Sequence, residues 1–380
     1  MAFSSISFLF YFLPLFFIIY YLIPARAKNV VLLAGSLFFY AWGEPRWILL
    51  LVASILVTWL LGRAMRPEAS AGRRGLLILG LVFQLGLLIA VKYAGFFFGA
   101  FIDLPKLHLP LGVSFYTFHA ISYLVDVYRQ KTPPQKNLLR LGLYLALFPK
   151  LVMGPIVPYH ELEPALAQRT IDAQDVSDGC FRFTIGLAKK ALLADALAGL
   201  VTGIWGDLAS LTVLSAWLGL IGYALQLYFD FSGYSDMAIG LGRMLGFRFP
   251  ENFRYPYLCS SISDFWRRWH ISLGSWFKEY LYFPLGGSRT GTLRTLRNLL
   301  LVWLATGLWH GASWNYVLWG LYFGVLICLE KLLAPRFRAH PRKGLLAGLY
   351  RPVCLLLAVL GWVLFRAEDL PAAGRYFACL

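Results

Sequence analysis

The sequence predicts an all-α integral membrane protein, and three observations carry that prediction. Of 380 residues, 59% are hydrophobic and only 14% are charged, against about 25% charged in an ordinary soluble domain. Apolar runs recur at 7–23, 47–61, 75–102, 214–229 and 298–329, several reaching the roughly 20 residues that cross a hydrocarbon core. Basic residues gather in alternate connections between those runs. Together these features predict a bundle of about ten or eleven transmembrane helices.

The first run lacks a basic leader and an A-x-A-like cleavage site, and further runs follow it, so it is read as a retained span. Arg26 and Lys28 follow it, and the loops 63–74 and 129–140 are rich in Arg and Lys. The intervening connections, 43–46 and 103–110, carry only Arg46 and Lys106. By the positive-inside rule the basic loops are cytoplasmic and the N-terminus lies outside. The formal charge of +16, from 35 Lys and Arg against 19 Asp and Glu, is thereby assigned to membrane topology, and no nucleic-acid partner is expected.

Cys180, Cys259, Cys328, Cys354 and Cys379 form no C-x-x-C pair and no cluster with His at zinc-ligand spacing, so neither a metal site nor a disulfide framework is expected. No internal repeat and no Gly/Ser-rich or Pro-rich linker divides the chain, which is read as one membrane domain, 1–380. Its irregular part is 240–297, where Arg, Trp, Gly and Pro interrupt the hydrophobicity. Short amphipathic or re-entrant helices lining a cavity are expected there, because non-helical backbone at membrane depth requires protein or water around it.

Three segments could carry chemistry. The first is Trp309-His310-Gly311-Ala312-Ser313-Trp314, within the 298–329 run. A helix entering at Asn298 would carry His310 about 18 Å inward, near mid-bilayer. Trp303, Thr306 and His310 would share one face, and Gly307 and Gly311 are spaced for close helix contact. A histidine hydrogen-bonded to a neighbouring helix is the structural alternative.

The second is Asp264-Phe265-Trp266-Arg267-Arg268-Trp269-His270, with Asp264 and Arg268 as i, i+4 partners and Trp266 one turn before His270. It reads either as an interfacial helix or as a basic, ring-lined mouth formed by Trp266, Arg267, Arg268 and Trp269 that holds a polyanionic donor near His270. The third, Phe229 to Asp236, sets Asp230 and Asp236 directly after an apolar span. A structural role is expected for both, paired with Arg243, Arg267 or Arg268. Lys92, Asp126 and Asp195 lie near span ends, His119 and His160 have no decisive context, and His108 and His340 read as loop residues.

No nucleophile elbow, H-E-x-x-H helix, phosphate-binding lysine loop or dinucleotide fingerprint occurs in a usable setting. What remains is histidine chemistry in a membrane. A thioester carbonyl is already electrophilic, so its transfer to a hydroxyl chiefly needs a base and a site that excludes water, and imidazole suits that role.

These segments resemble the membrane-bound O-acyltransferase family, in particular its bacterial branch that acetylates alginate. The resemblance also rests on Phe38-Phe39-Tyr40-Ala41-Trp42, on Leu109 to Phe118, and on Gly154-Pro155-Ile156-Val157. It continues through Tyr228 to Ala238, Phe249-Pro250-Glu251-Asn252-Phe253 and Tyr282-Phe283-Pro284-Leu285-Gly286-Gly287, in order along nearly the whole chain. It implies a ring of helices around a central tunnel. It also implies that His310 is the catalytic histidine and that His270 is a second functional one. Asp264 and Asn298 are expected to join Asp230 and Asp236 in a supporting polar network.

By the same resemblance the donor is a cytosolic acyl-thioester such as acetyl-CoA, and the setting is the bacterial inner membrane. A periplasmic or extracellular acetyltransferase receives the acetyl group, with alginate, another exopolysaccharide or peptidoglycan as final acceptor. Such relatives usually continue well past the position where this chain ends at Leu380, so a shortened C-terminal side is expected. D-alanyl transfer toward teichoic acid is the rival within the family, and a transporter for a small anion is the rival outside it.

Overall fold

A computed structural model describes residues 2–65, 70–98, 110–289, 291–339 and 345–380. The described residues form helices and turns, with no strand among them. The middle of the basic loop 63–74, most of the connection 103–110 with Lys106 and His108, and His340 lie outside the described residues.

The helices used below are α1 (Lys28–Gly43), α2 (Ile48–Ala64), α3 (Ser70–Leu88), α4 (Val113–Tyr128), α5 (Ala173–Ala188), α6 (Val213–Met244), α7 (Ile262–Arg268), α8 (Ile271–Phe277), α9 (Thr292–His310), α10 (Trp314–Ala339), α11 (Leu345–Arg366) and α12 (Leu370–Ala378). Among the described residues, three helices are long and apolar enough to cross a membrane: Gly72–Phe96, Val213–Met244 and Trp314–Leu333. Ser7–Leu22 and Ile48–Ala64 are apolar but shorter. Leu22, Leu49 and Val82 stand exposed, as a hydrocarbon solvent allows and water would penalise.

The chain divides into two compact units, one of 1–188 with 233–250 and one of 189–232 with 251–380. In the first, a buried polar clasp joins α2 to α3: Ser54 Oγ donates to Gln84 Oε1 at 3.0 Å, and Gln84 Nε2 donates to Thr58 Oγ1 at 2.9 Å. Such side-chain bonds hold helices together where lipid offers no hydrophobic drive. Arg73 donates to the Val127 and Tyr128 carbonyls at 3.1 and 2.7 Å, so the first turn of α3 and the last turn of α4 share one end of that unit.

The 229–236 segment was expected just outside a span, but it lies inside α6, which runs unbroken to Met244. Irregular chain therefore begins after Met244 and not at Gly240. The helix tolerates these carboxylates because each has a cation. Arg182 on α5 binds Asp236, with Nε at 2.8 Å from Oδ1, and Lys190 lies 2.8 Å from Asp230. Backbone contact fixes the first pair, since a Cβ on Gly186 would meet the Gly233 carbonyl and the Met237 nitrogen. The expected partners are engaged elsewhere: Arg243 with Asp175 and Asp178, and Arg267 and Arg268 with Asp264.

In the second unit the 298–329 run is not one span. Helix α9 ends at His310, Gly311 is extended, and α10 starts at Trp314. Gly320 packs on Trp303 and Gly307, Gly324 on Leu300 and Trp303, and Cys328 Sγ lies 3.7 Å from the Leu296 carbonyl. Rising positions on one helix meet falling positions on the other, so the two form an antiparallel hairpin with His310 at its turn.

Candidate active site

Short helix α7 starts where its chemistry dictates. Ser261 Oγ accepts the Asp264 backbone N–H at 3.0 Å as an N-cap. Glu330, projecting from α10, accepts the Ile262 and Ser263 N–H groups at 2.6 and 2.8 Å. Acidic groups at this end also suit the helix dipole. Asp264 then gathers the other end of the turn, accepting the Ser260 N–H at 3.0 Å and pairing with Arg268 Nε at 3.1 Å. Burial alone would raise the Asp264 carboxyl. The Ser260 N–H and the Arg268 guanidinium outweigh it and hold the group below the ordinary carboxylate range.

Helix α7 stops at Arg268, Trp269 is extended, and His270 adopts a left-handed backbone with φ 46° and ψ 53° before α8 begins. This reversal turns the buried His270 ring into a chamber of about 270 Å³. Its walls include Trp266, Trp269, Trp303, Phe277, Thr306 and Lys278. Phe231 meets the imidazole edge-on, with centroids 4.6 Å apart. The walls are almost all rings and alkyl groups, which keep bulk water away from the imidazole.

His270 Nδ1 lies 3.2 Å from Asn252 Oδ1. The same oxygen accepts Ser272 N at 3.1 Å and Ser272 Oγ at 2.9 Å. His270 Nε2 is buried with no hydrogen-bond partner among the described residues.

His310 occupies a second aromatic setting at the hairpin turn. It is half-buried, with Trp319 and Phe365 edge-on at 4.9 and 5.0 Å and the Tyr316 ring at 6.5 Å. Trp309 links the two histidines, its ring centroid 4.7 Å from His310 and 6.1 Å from His270.

Residues 129–347 match the family model described as "MBOAT, membrane-bound O-acyltransferase family". The "Probable alginate O-acetylase AlgI" of Azotobacter vinelandii is 44% identical across 100% of this chain and 78% of its own length. The protein of the same name in Pseudomonas aeruginosa is 43% identical, across 100% and 75%. The chain belongs to the membrane-bound O-acyltransferase family. A third relative, the "Peptidoglycan O-acetyltransferase" of Helicobacter pylori, is 36% identical across 98% of this chain and 78% of its own.

As a membrane-bound O-acyltransferase, the chain brings some of the anticipated residues together and separates others. Trp266, Trp269 and His270 share the chamber with Trp303 and Thr306. Trp266 does not sit one turn from His270 on a common helix, because α7 ends between them. Arg267 and Arg268 are not among the chamber's lining residues. The Arg267 side chain is 71% exposed, and Arg268 is drawn onto Asp264. His310 shares α9 with Trp303 and Thr306 but does not line the chamber, and it is the last residue of that helix. Gly311 lies past the helix end, where an added Cβ would meet the Tyr316 ring, while of the two only Gly307 faces backbone closely.

Asn298 is fully buried and donates to the Leu285 and Gly287 carbonyls at 3.0 and 3.2 Å, pinning the preceding turn to α9. Two residues of this candidate site escape a reading of sequence alone. Lys278 is the chamber's cation, yet it stands among aromatics with no motif around it. Asn252 falls within one of the segments carrying the family resemblance, but its 18-residue separation from His270 hides their contact.

Proposed function

We propose that the chain transfers acetyl groups from a cytosolic acyl-thioester, acetyl-CoA, through the bacterial inner membrane for O-acetylation of an extracytoplasmic polysaccharide such as alginate. The observation that supports this reading is the ring-walled chamber, whose lining includes His270 with a buried Nε2 that has no hydrogen-bond partner among the described residues, in a chain similar over its full length to proteins named as alginate O-acetylases. In this reading 1–380 works as one membrane domain, with the loops 63–74 and 129–140 cytoplasmic and the N-terminus outside.

His310 serves as general base. It removes the proton of an incoming hydroxyl, the oxygen bonds to the thioester carbonyl carbon, the carbon–sulfur bond breaks, and the proton passes to the departing thiolate. Base catalysis of this kind contributes typically 10²–10⁴-fold. His270, Trp266 and Trp269 shape the donor's acyl end, and Lys278 meets its anionic portion. The hydroxyl belongs to a periplasmic or extracellular acetyltransferase partner, which passes the group to the polysaccharide. The Helicobacter relative favours peptidoglycan as the second acceptor reading.

Inverted membrane vesicles carrying the chain and its partner, given acetyl-labelled CoA, should deliver label to polymer. Delivery from vesicles lacking the chain at an equal rate would end the proposal, and delivery to peptidoglycan alone would select the second acceptor.

A further inference from the structure

His270 combines a buried imidazole with a left-handed backbone at a residue that is not glycine. That conformation is disfavoured for any side chain with a Cβ and persists where its surroundings over-determine it. Asn252 supplies much of that determination. Its backbone carbonyl accepts Ile271 N at 3.0 Å, while its side-chain oxygen faces His270 Nδ1, Ser272 N and Ser272 Oγ at 3.2, 3.1 and 2.9 Å.

The Ser272 backbone N–H can only donate, so the Asn252 atom opposite it must be the carbonyl oxygen and the amide cannot be flipped. A carbonyl oxygen facing Nδ1 requires Nδ1 to carry the ring proton. The lone pair then resides on Nε2, which is buried, has no hydrogen-bond partner among the described residues, and belongs to a chamber-lining side chain. Partners on one imidazole nitrogen set what the other can do.

We propose that Asn252 is a positioning residue that fixes His270 as the Nδ1–H tautomer and so leaves Nε2, at the chamber, as a hydrogen-bond acceptor. The role rests on the chamber being the acyl-transfer site. It predicts that the group recognised at Nε2 is a donor, either the N–H of an amide or the O–H of an acceptor.

The test uses the full chain in lipid nanodiscs with isotope-labelled histidine, the His270 nitrogen signals being assigned by their loss in His270→Gln. The wild type should show a protonated Nδ1 and a lone pair on Nε2. Asn252→Ala should give a mixture of tautomers, and its kcat for acetyl transfer should fall about tenfold or more with little change in donor KM. Asn252→Asp keeps all three acceptor contacts and adds a negative charge that favours imidazolium, so His270 should titrate at least about one pH unit higher than in the wild type.

A protonated Nε2 in the wild type overturns the proposal, as does an unchanged tautomer in Asn252→Ala. Should Asn252→Ala fail to fold, Asn252→Asp carries the test, and an unmoved His270 titration there overturns it equally. An Asn252-dependent Nδ1–H tautomer in a protein that transfers no acetyl group would uphold the positioning role and reject the acetyl-transfer reading instead.

Discussion

Gly307 and Gly320 face each other across the α9–α10 hairpin with no room for a side chain on either. A Cβ on Gly320 would lie 3.1 Å from Gly307 Cα, and one on Gly307 would press on the Tyr316 carbonyl. Backbone cannot swing aside as a side chain can. Gly307→Ala should therefore cost about 1–3 kcal/mol, read as a lower unfolding temperature in detergent. Gly199→Ala is the control, because a Cβ there meets nothing within 4 Å. Equal thermal stability of the two variants would show that the hairpin contact is slack.

His310→Gln should abolish polysaccharide acetylation at wild-type abundance. Glutamine keeps hydrogen-bonding capacity but cannot take a proton, so the loss should reach about 10²-fold or more. A histidine that only packs among Trp319, Phe365 and Tyr316 should tolerate Gln better than Ala, with activity tracking protein amount. Label transfer per milligram of inserted protein distinguishes the two outcomes.

Lys278→Gln should raise the apparent KM for acetyl-CoA several-fold, since Lys278 is the cation at the chamber wall and the donor carries several phosphates. Arg267→Gln should leave that KM near wild type, because a charge so exposed contributes little through solvent. The reverse ranking in initial-rate measurements would return the donor mouth to the arginine side of α7.

Asp264→Asn should loosen the α7 turn at neutral pH, by about 1–2 kcal/mol for a charge-assisted bond. The folded-state pKa is depressed, so this stabilisation is complete above the ordinary value of 3.8 and fades as the pH falls through the lower folded value. The gap between wild type and variant should thus hold constant from pH 7 to about 4 and narrow only below that. A gap that closes already near pH 6 would identify a different titrating group.

The family resemblance and the helical character were legible in the sequence, because hydropathy and ordered motifs are properties of contiguous residues. The Asp264–Arg268 pair was legible for the same reason, being one helical turn apart. Spacing alone could not locate the end of α7, since Trp269 and His270 look helical until the contacts of Asn252 turn the backbone into the left-handed region. Nor could it break the 298–329 run into a hairpin, a choice made by glycines that meet only when α10 folds back on α9. Asp230 and Asp236 were recognised as needing cations, but Lys190 and Arg182 were selected by helix packing over closer arginines in sequence. The sequence by itself determined a membrane-bound acyltransferase with two histidines of interest. Tertiary structure alone decided which polar groups meet them, because an imidazole's tautomer and accessible nitrogen depend on partners many residues away.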